Sequence, residues 1–137
     1  MNTDLAWTIN YALDHDIGVQ ICDWNPEWSS CSIAERHTVF INQNAHEPEE
    51  LPFVTAHEVG HILNGDSGQN FYSLCGNING SKREAAADKT GIRILFKRCT
   101  ELEDFDPAYF NPVQFMESYC IPESYYSFVR GLIRDER

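Results

Sequence analysis

Apolar residues at Leu5, Ile9, Ala12 and Leu13 recur with a helical period near the start of the chain. Thr3 offers that helix an N-cap, and Gly18 stands where it would stop. The run from Gly18 to Trp24 reads as a short strand, closed by the turn signal Asn25-Pro26. Ser32 to Glu35 and Thr38 to Asn42 read as a hairpin around Arg36-His37, its second arm rich in β-branched and aromatic residues. The period then lengthens again. Pro48-Glu49-Glu50 places proline and two acids at a helix start, and Leu51, Val54, Val59, Ile62 and Leu63 continue at helical spacing up to Gly65. A glycine- and asparagine-rich loop from Asn64 to Gly80 leads into a second helical pattern from Ser81 to about Phe96. Beyond Asp104 the chain is aromatic, and Pro112 and Pro122 each suit the first turn of a short helix. The pattern predicts a helix, a short antiparallel sheet and then helices, an α+β fold. No repeat or Ser/Gly linker divides it, so residues 1–137 are expected to form a single domain.

Composition narrows the class. Hydrophobic residues make up 42% and charged residues 23% of the 137, which argues for a packed core and against disorder. Ten Lys and Arg against 21 Asp and Glu give a formal charge of −11. Such a chain lacks the basic footprint of a nucleic-acid binder or of a protein that docks on anionic membranes. A basic protein partner suits it better. Five cysteines, Cys22, Cys31, Cys75, Cys99 and Cys120, are odd in number and form no Cys-x-x-Cys pair. Free buried thiols are expected, rather than a disulfide framework or a thiolate zinc site. The first residues have neither a basic nor an apolar leader region, and no apolar run reaches about 18 residues. The expectation is a soluble cytoplasmic protein.

The chemistry is concentrated in Val54-Thr55-Ala56-His57-Glu58-Val59-Gly60-His61-Ile62-Leu63, which holds H-E-x-x-H inside a helical pattern. Residues four apart share a helix face, so His57 and His61 can present imidazole nitrogens to one metal ion. Neutral imidazoles bind zinc without cancelling its charge, and the ion lowers the pKa of its water to about 7. Glu58, adjacent on the same helix, can take the proton of that water and pass it to a leaving amine.

A catalytic zinc needs a third protein ligand. The extended motif that would supply a third histidine is absent, because Asn64 and Ser67 occupy its glycine and histidine positions. Glu84, from Glu84-Ala85-Ala86-Ala87-Asp88, is the first choice. Asp88 shares its helix face and would accept a hydrogen bond from a ligand imidazole. The same glutamate also completes a capping box, Ser81-Lys82-Arg83-Glu84, and one carboxylate cannot point both ways. Asp88 is an alternative ligand, and Asp66 and His46 are weaker ones. Tyr72 and His46, in loops flanking the motif helix, are candidates to stabilise an oxyanion.

These residues resemble the ImmA/IrrE-type metallopeptidases, small phage- and mobile-element-associated proteins of bacteria. The resemblance rests on Val39-Phe40-Ile41-Asn42, on the stretch from Phe53 to Leu63, and on Glu84 to Asp88 with Ile94-Leu95 behind it. It covers roughly residues 36–97. It departs at Thr90-Gly91, where the family usually has Phe-Ala. It implies a small zincin-like domain with His57, His61 and Glu84 as metal ligands and Glu58 as the catalytic acid/base. It further implies an anti-repressor protease that cleaves a helix-turn-helix repressor in a bacterial or phage-infected host cell. Zinc is the expected metal, with Mn2+ or Fe2+ compatible with the same ligands. Two other readings stand beside this one. An acidic protein could sequester a repressor without cutting it, using its charge and its aromatic C-terminal segment. A closed structural metal site, completed by Asp88 or a cysteine, would leave Glu58 without a task.

Overall fold

The computed structural model describes residues 2–72 and 82–136. Among these residues the fold is α+β, with five α-helices and a four-stranded mixed sheet. Helix α1 spans Thr3–Asp14. Its cap is Asn2 rather than Thr3, the Asn2 side chain accepting from the Leu5 N–H at 2.6 Å. The helix ends on a left-handed Asp16 (φ 60°), and Gly18, expected as the stop, instead opens β1.

Strands β1 (Gly18–Cys22), β2 (Cys31–Ile33) and β3 (Thr38–Asn42) form the body of the sheet. β2 and β3 make the expected antiparallel hairpin, with Ser32 opposite Val39 and His37 at positive φ in its turn. β1 lies parallel to β3, in register Val19 with Val39, which makes the sheet mixed rather than antiparallel. The connection over residues 23–30 returns the chain to the far side of β3, and Asn42 holds it. The fully buried Asn42 side chain accepts from the Trp24 and Asn44 N–H groups and donates to the carbonyls of Asn25 and Trp28. A short polar side chain with donors and acceptors at once is what that corner requires. A fourth strand, β4 (Gln69–Phe71), pairs antiparallel with β2 and extends the sheet to the order β1-β3-β2-β4. It lies in a segment expected to be loop, and side-chain hydrogen bonds from Gln69 to Cys31 and from Arg83 to Asn70 help fasten it.

A 3-10 turn at Pro48–Glu50, closed by reciprocal Glu47 and Glu50 capping contacts, leads into α2 (Leu51–Leu63). Every residue of α2 from Leu51 to His61 is buried. A helix buried on all sides is covered all round. The sheet covers one side through Val39 and Ile41, and α3 (Lys82–Thr100) covers another.

The approach of α2 to α3 is set by two glycines. A Cβ on Gly60 would stand 2.8 Å from the carbonyl oxygen of Ala87, and one on Gly91 3.0 Å from the backbone nitrogen of His57. Both obstacles are backbone and cannot swing aside. The departure Thr90-Gly91 therefore has a physical reason, and Thr90 adds a 2.8 Å hydrogen bond to Asn64 at the end of α2. Gly60→Val is expected to destabilise the protein by about 3 kcal/mol, the upper part of the usual overpacking range. Thermal denaturation checks this, and an unchanged midpoint would contradict the close crossing.

The C-terminal part holds α4 (Pro112–Ser118), capped by Asn111, and α5 (Tyr126–Glu136) after a 3-10 turn at Glu123–Tyr125. Most of its aromatics face inward. Phe96, Phe110 and Phe115 meet at centroid distances of 5.4–6.2 Å, and Phe115 stacks edge-on against Tyr119. The core runs from Leu5 through Ile92 to Ile133. Of the four cysteines described, all are free, but only Cys31 is buried and Cys120 is exposed. Cys75 and the capping serine Ser81 lie outside the described residues. No described helix is long and apolar enough to cross a membrane.

Candidate metal centre

His57 and His61 face the same point because α2 places them one turn apart, their ring centroids 4.9 Å from each other and nearly perpendicular. Each ring is held by a carboxylate at Nδ1. His57 Nδ1 lies 2.6 Å from Asp88 Oδ1, and His61 Nδ1 lies 2.8 Å from Asp66 Oδ2. A carboxylate at Nδ1 fixes the proton there and turns Nε2 into a lone-pair donor. Both Nε2 atoms and both Glu58 carboxylate oxygens are buried without a hydrogen bond among the described residues. One ligand atom each from His57, Glu58 and His61 lies within 4.8 Å of the others.

Glu84 joins this group from α3. Its Oε2 lies 3.6 Å from His57 Nε2 and 2.5 Å from His61 Nε2. Glu58 Oε2 is farther, at 4.0 Å from His57 Nε2. Ligand atoms around a tetrahedral zinc sit about 3.3 Å apart, from bonds of about 2.0–2.1 Å. Glu84 is thus the better placed carboxylate for a third ligand, and Glu58 stands beside the point where the ligand atoms converge. Glu84 Oε2 faces both histidines, while the capping box expected at Ser81 lies outside the described residues.

Charge also points to a cation. Four carboxylates, Glu58, Glu84, Asp66 and Asp88, surround two imidazoles. Even with both rings protonated the cluster is left negative, and buried like charges are costly unless something balances them. The proton equilibria respond accordingly. Burial works to lower the pKa of His57, and the carboxylates of Asp88, Glu84 and Glu58 overcome it, holding it at about 9. Burial works to raise Glu84, and the two imidazoles bring it down to about 2. Glu58 is raised well above the usual carboxylate range, mainly by burial, with His57 opposing. The donor set of two imidazoles and a carboxylate, with unpartnered nitrogens converging, fits a divalent metal ion.

The structure separates the other candidates. Asp88 orients His57, as expected of it. Asp66, weighed as a ligand, instead holds His61 and is itself approached by Arg83 at 3.4 Å. His46 bonds through Nε2 to the buried Ser30 hydroxyl at 3.2 Å and takes no place at the ligand point. Tyr72 packs edge-on 5.0 Å from His57 and 5.2 Å from His46. Burial foremost, and the surrounding carboxylates after it, push the Tyr72 phenol far up, so it stays a donor. One contact had no signal in the sequence. Tyr125, ahead of α5, donates to Asp88 Oδ2 at 2.6 Å.

No curated protein and no solved structure matches the chain. A family model does. Peptidase_M78, described as the IrrE N-terminal-like domain, matches residues 12–117, a span that takes in the sheet, the H-E-x-x-H helix and the helix bearing Glu84 and Asp88. With the match covering most of its length, the chain belongs to the IrrE N-terminal-like family of metallopeptidases.

Proposed function

We propose that this chain is a zinc-dependent endopeptidase that cleaves a helix-turn-helix repressor of a phage or mobile element, in the cytoplasm of a bacterial cell. The observation that carries the catalytic part is the convergence of two oriented imidazoles on one point, with the buried Glu58 carboxylate beside it at 4.0 Å from His57 Nε2. His57, His61 and Glu84 would hold the ion. Zinc suits two imidazoles and a carboxylate, and Mn2+ or Fe2+ share the preference. When bound, the ion supplies Lewis-acid polarisation of water and of the scissile carbonyl.

The chain's own residues do the rest. Glu58 takes a proton from the attacking water as the carbon–oxygen bond forms. It then delivers that proton to the amide nitrogen as the carbon–nitrogen bond breaks. Asp88 and Asp66 keep both rings oriented throughout. Tyr72, protonated and against His57, is the hydrogen-bond donor best placed for the developing oxyanion. The substrate class rests on the family resemblance, and the charge of −11 supports it by matching the basic DNA-binding face of a repressor.

The test is direct. The zinc-loaded chain, incubated with a purified helix-turn-helix repressor of a phage or mobile element, is expected to yield two fragments by mass spectrometry. Chelator should stop the reaction, and added zinc should restore it. A repressor inactivated with its own chain intact would favour sequestration and overturn the peptidase reading.

A further inference from the structure

Asp88 is a fully buried carboxylate between two elements far apart in sequence. One oxygen, Oδ1, faces His57 Nδ1 on α2, and the other, Oδ2, accepts the Tyr125 hydroxyl, each at 2.6 Å. Both are short, charge-assisted hydrogen bonds. Together they fix the plane of the carboxylate as well as its position. Tyr125 is itself fixed. Its side chain is 6% exposed, and it closes the 3-10 turn that runs into α5. That helix is fastened to the core through Val129 and Ile133. It is fastened to α3 by Phe128, whose ring lies under Lys89 at 5.6 Å and Arg93 at 5.0 Å. Tyr125 also lies beyond residues 12–117, the part of the chain that the family model covers.

Resting on the metal-centre reading above, we propose that Tyr125 is a positioning residue for the metal site. It acts through Asp88 to hold His57 in its binding tautomer and orientation. The C-terminal turn thereby becomes part of the metal site's support, not only of the core. A carboxylate behind a ligand histidine matters for affinity because the imidazole must present one nitrogen along one line. A group that locks that carboxylate contributes by the same route, one contact further out.

Tyr125→Phe removes the hydroxyl and keeps the ring. Tyr119→Phe is the control, since Tyr119 is also buried and also donates to a carboxylate, Asp4 at 2.8 Å, and among the described residues its hydroxyl bonds none of the site residues. Zinc affinity of the full chain and both variants is measured by competition with a chromophoric chelator, beside the thermal midpoint of each metal-free protein. The expected result is a loss of about tenfold for Tyr125→Phe, the lower end of the range for outer partners of a metal ligand, with Tyr119→Phe within about twofold of the parent. Parent-like affinity in Tyr125→Phe would overturn the proposal. Equal weakening in both variants would overturn it as well, because the effect would then be packing. If the parent chain itself took up no zinc, the metal-centre reading would fall first, a result distinct from either.

Discussion

Glu58→Gln is expected to lower peptide cleavage by about 10²–10⁴-fold, the usual worth of a positioned general acid/base. Metal binding should survive it. The amide has the shape of the carboxylate, so the buried site between α2 and the sheet keeps its volume. What is lost is the capacity to accept a proton and return it. This variant also decides between the two carboxylates that approach the histidines. A Glu58 that bound the metal would take the metal with it when changed to glutamine. A Glu58 that only moves protons leaves zinc affinity within a few-fold of the parent. Glu58 is a fully buried acid in a cluster already rich in carboxylates, and burial outweighs the help it gets from His57. Its neutralisation should therefore leave the metal-free protein no less stable. Single-turnover cleavage and zinc titration of the same preparation check both halves. If Glu58→Gln still inactivated the repressor as well as the parent does, catalysis would be the wrong account and binding the right one.

The parts of this site legible in the sequence were those fixed by local geometry. His57 and His61 are four residues apart, and a helix alone brings them to one face. Glu84 and Asp88 follow the same rule on α3. That α3 would bring them to the histidines is read from the missing third ligand and the small alanines between Glu84 and Asp88, and the resemblance implies it too; helical spacing alone does not say which helix packs on which. The glycines that permit the contact, Gly60 and Gly91, are ordinary residues until the two backbones are seen against each other.

A loop acid five residues past a histidine can ligate or orient, and only the contact at Nδ1 shows Asp66 holding the His61 ring. Tyr125 left no trace at all. It lies 37 residues from Asp88, in an aromatic stretch that reads as core and mostly is. The fold shows the same division. The β2–β3 hairpin is a local structure and was legible. The parallel pairing of β1 with β3 depends on the path of residues 23–30, which the Asn42 side chain determines from the far end of the next strand but one. β4 has only three residues and no alternation to betray it.

The second large effect is expected at Glu84, and it bears on the central claim that two helices share one metal. Glu84→Ala removes the carboxylate that lies nearest both Nε2 atoms. It leaves the H-E-x-x-H helix untouched. The side chain is only partly buried, so its loss opens no large cavity and the fold should persist. Losing a direct ligand should weaken zinc binding by more than the 10–100-fold typical of outer partners. The measurement is elemental analysis of the purified parent chain and of Glu84→Ala, side by side, after exposure to equal zinc. About one zinc per chain in the parent and little in the variant is the result predicted for a site with three protein ligands. Full zinc in Glu84→Ala would contradict it and return Glu84 to the start of its own helix.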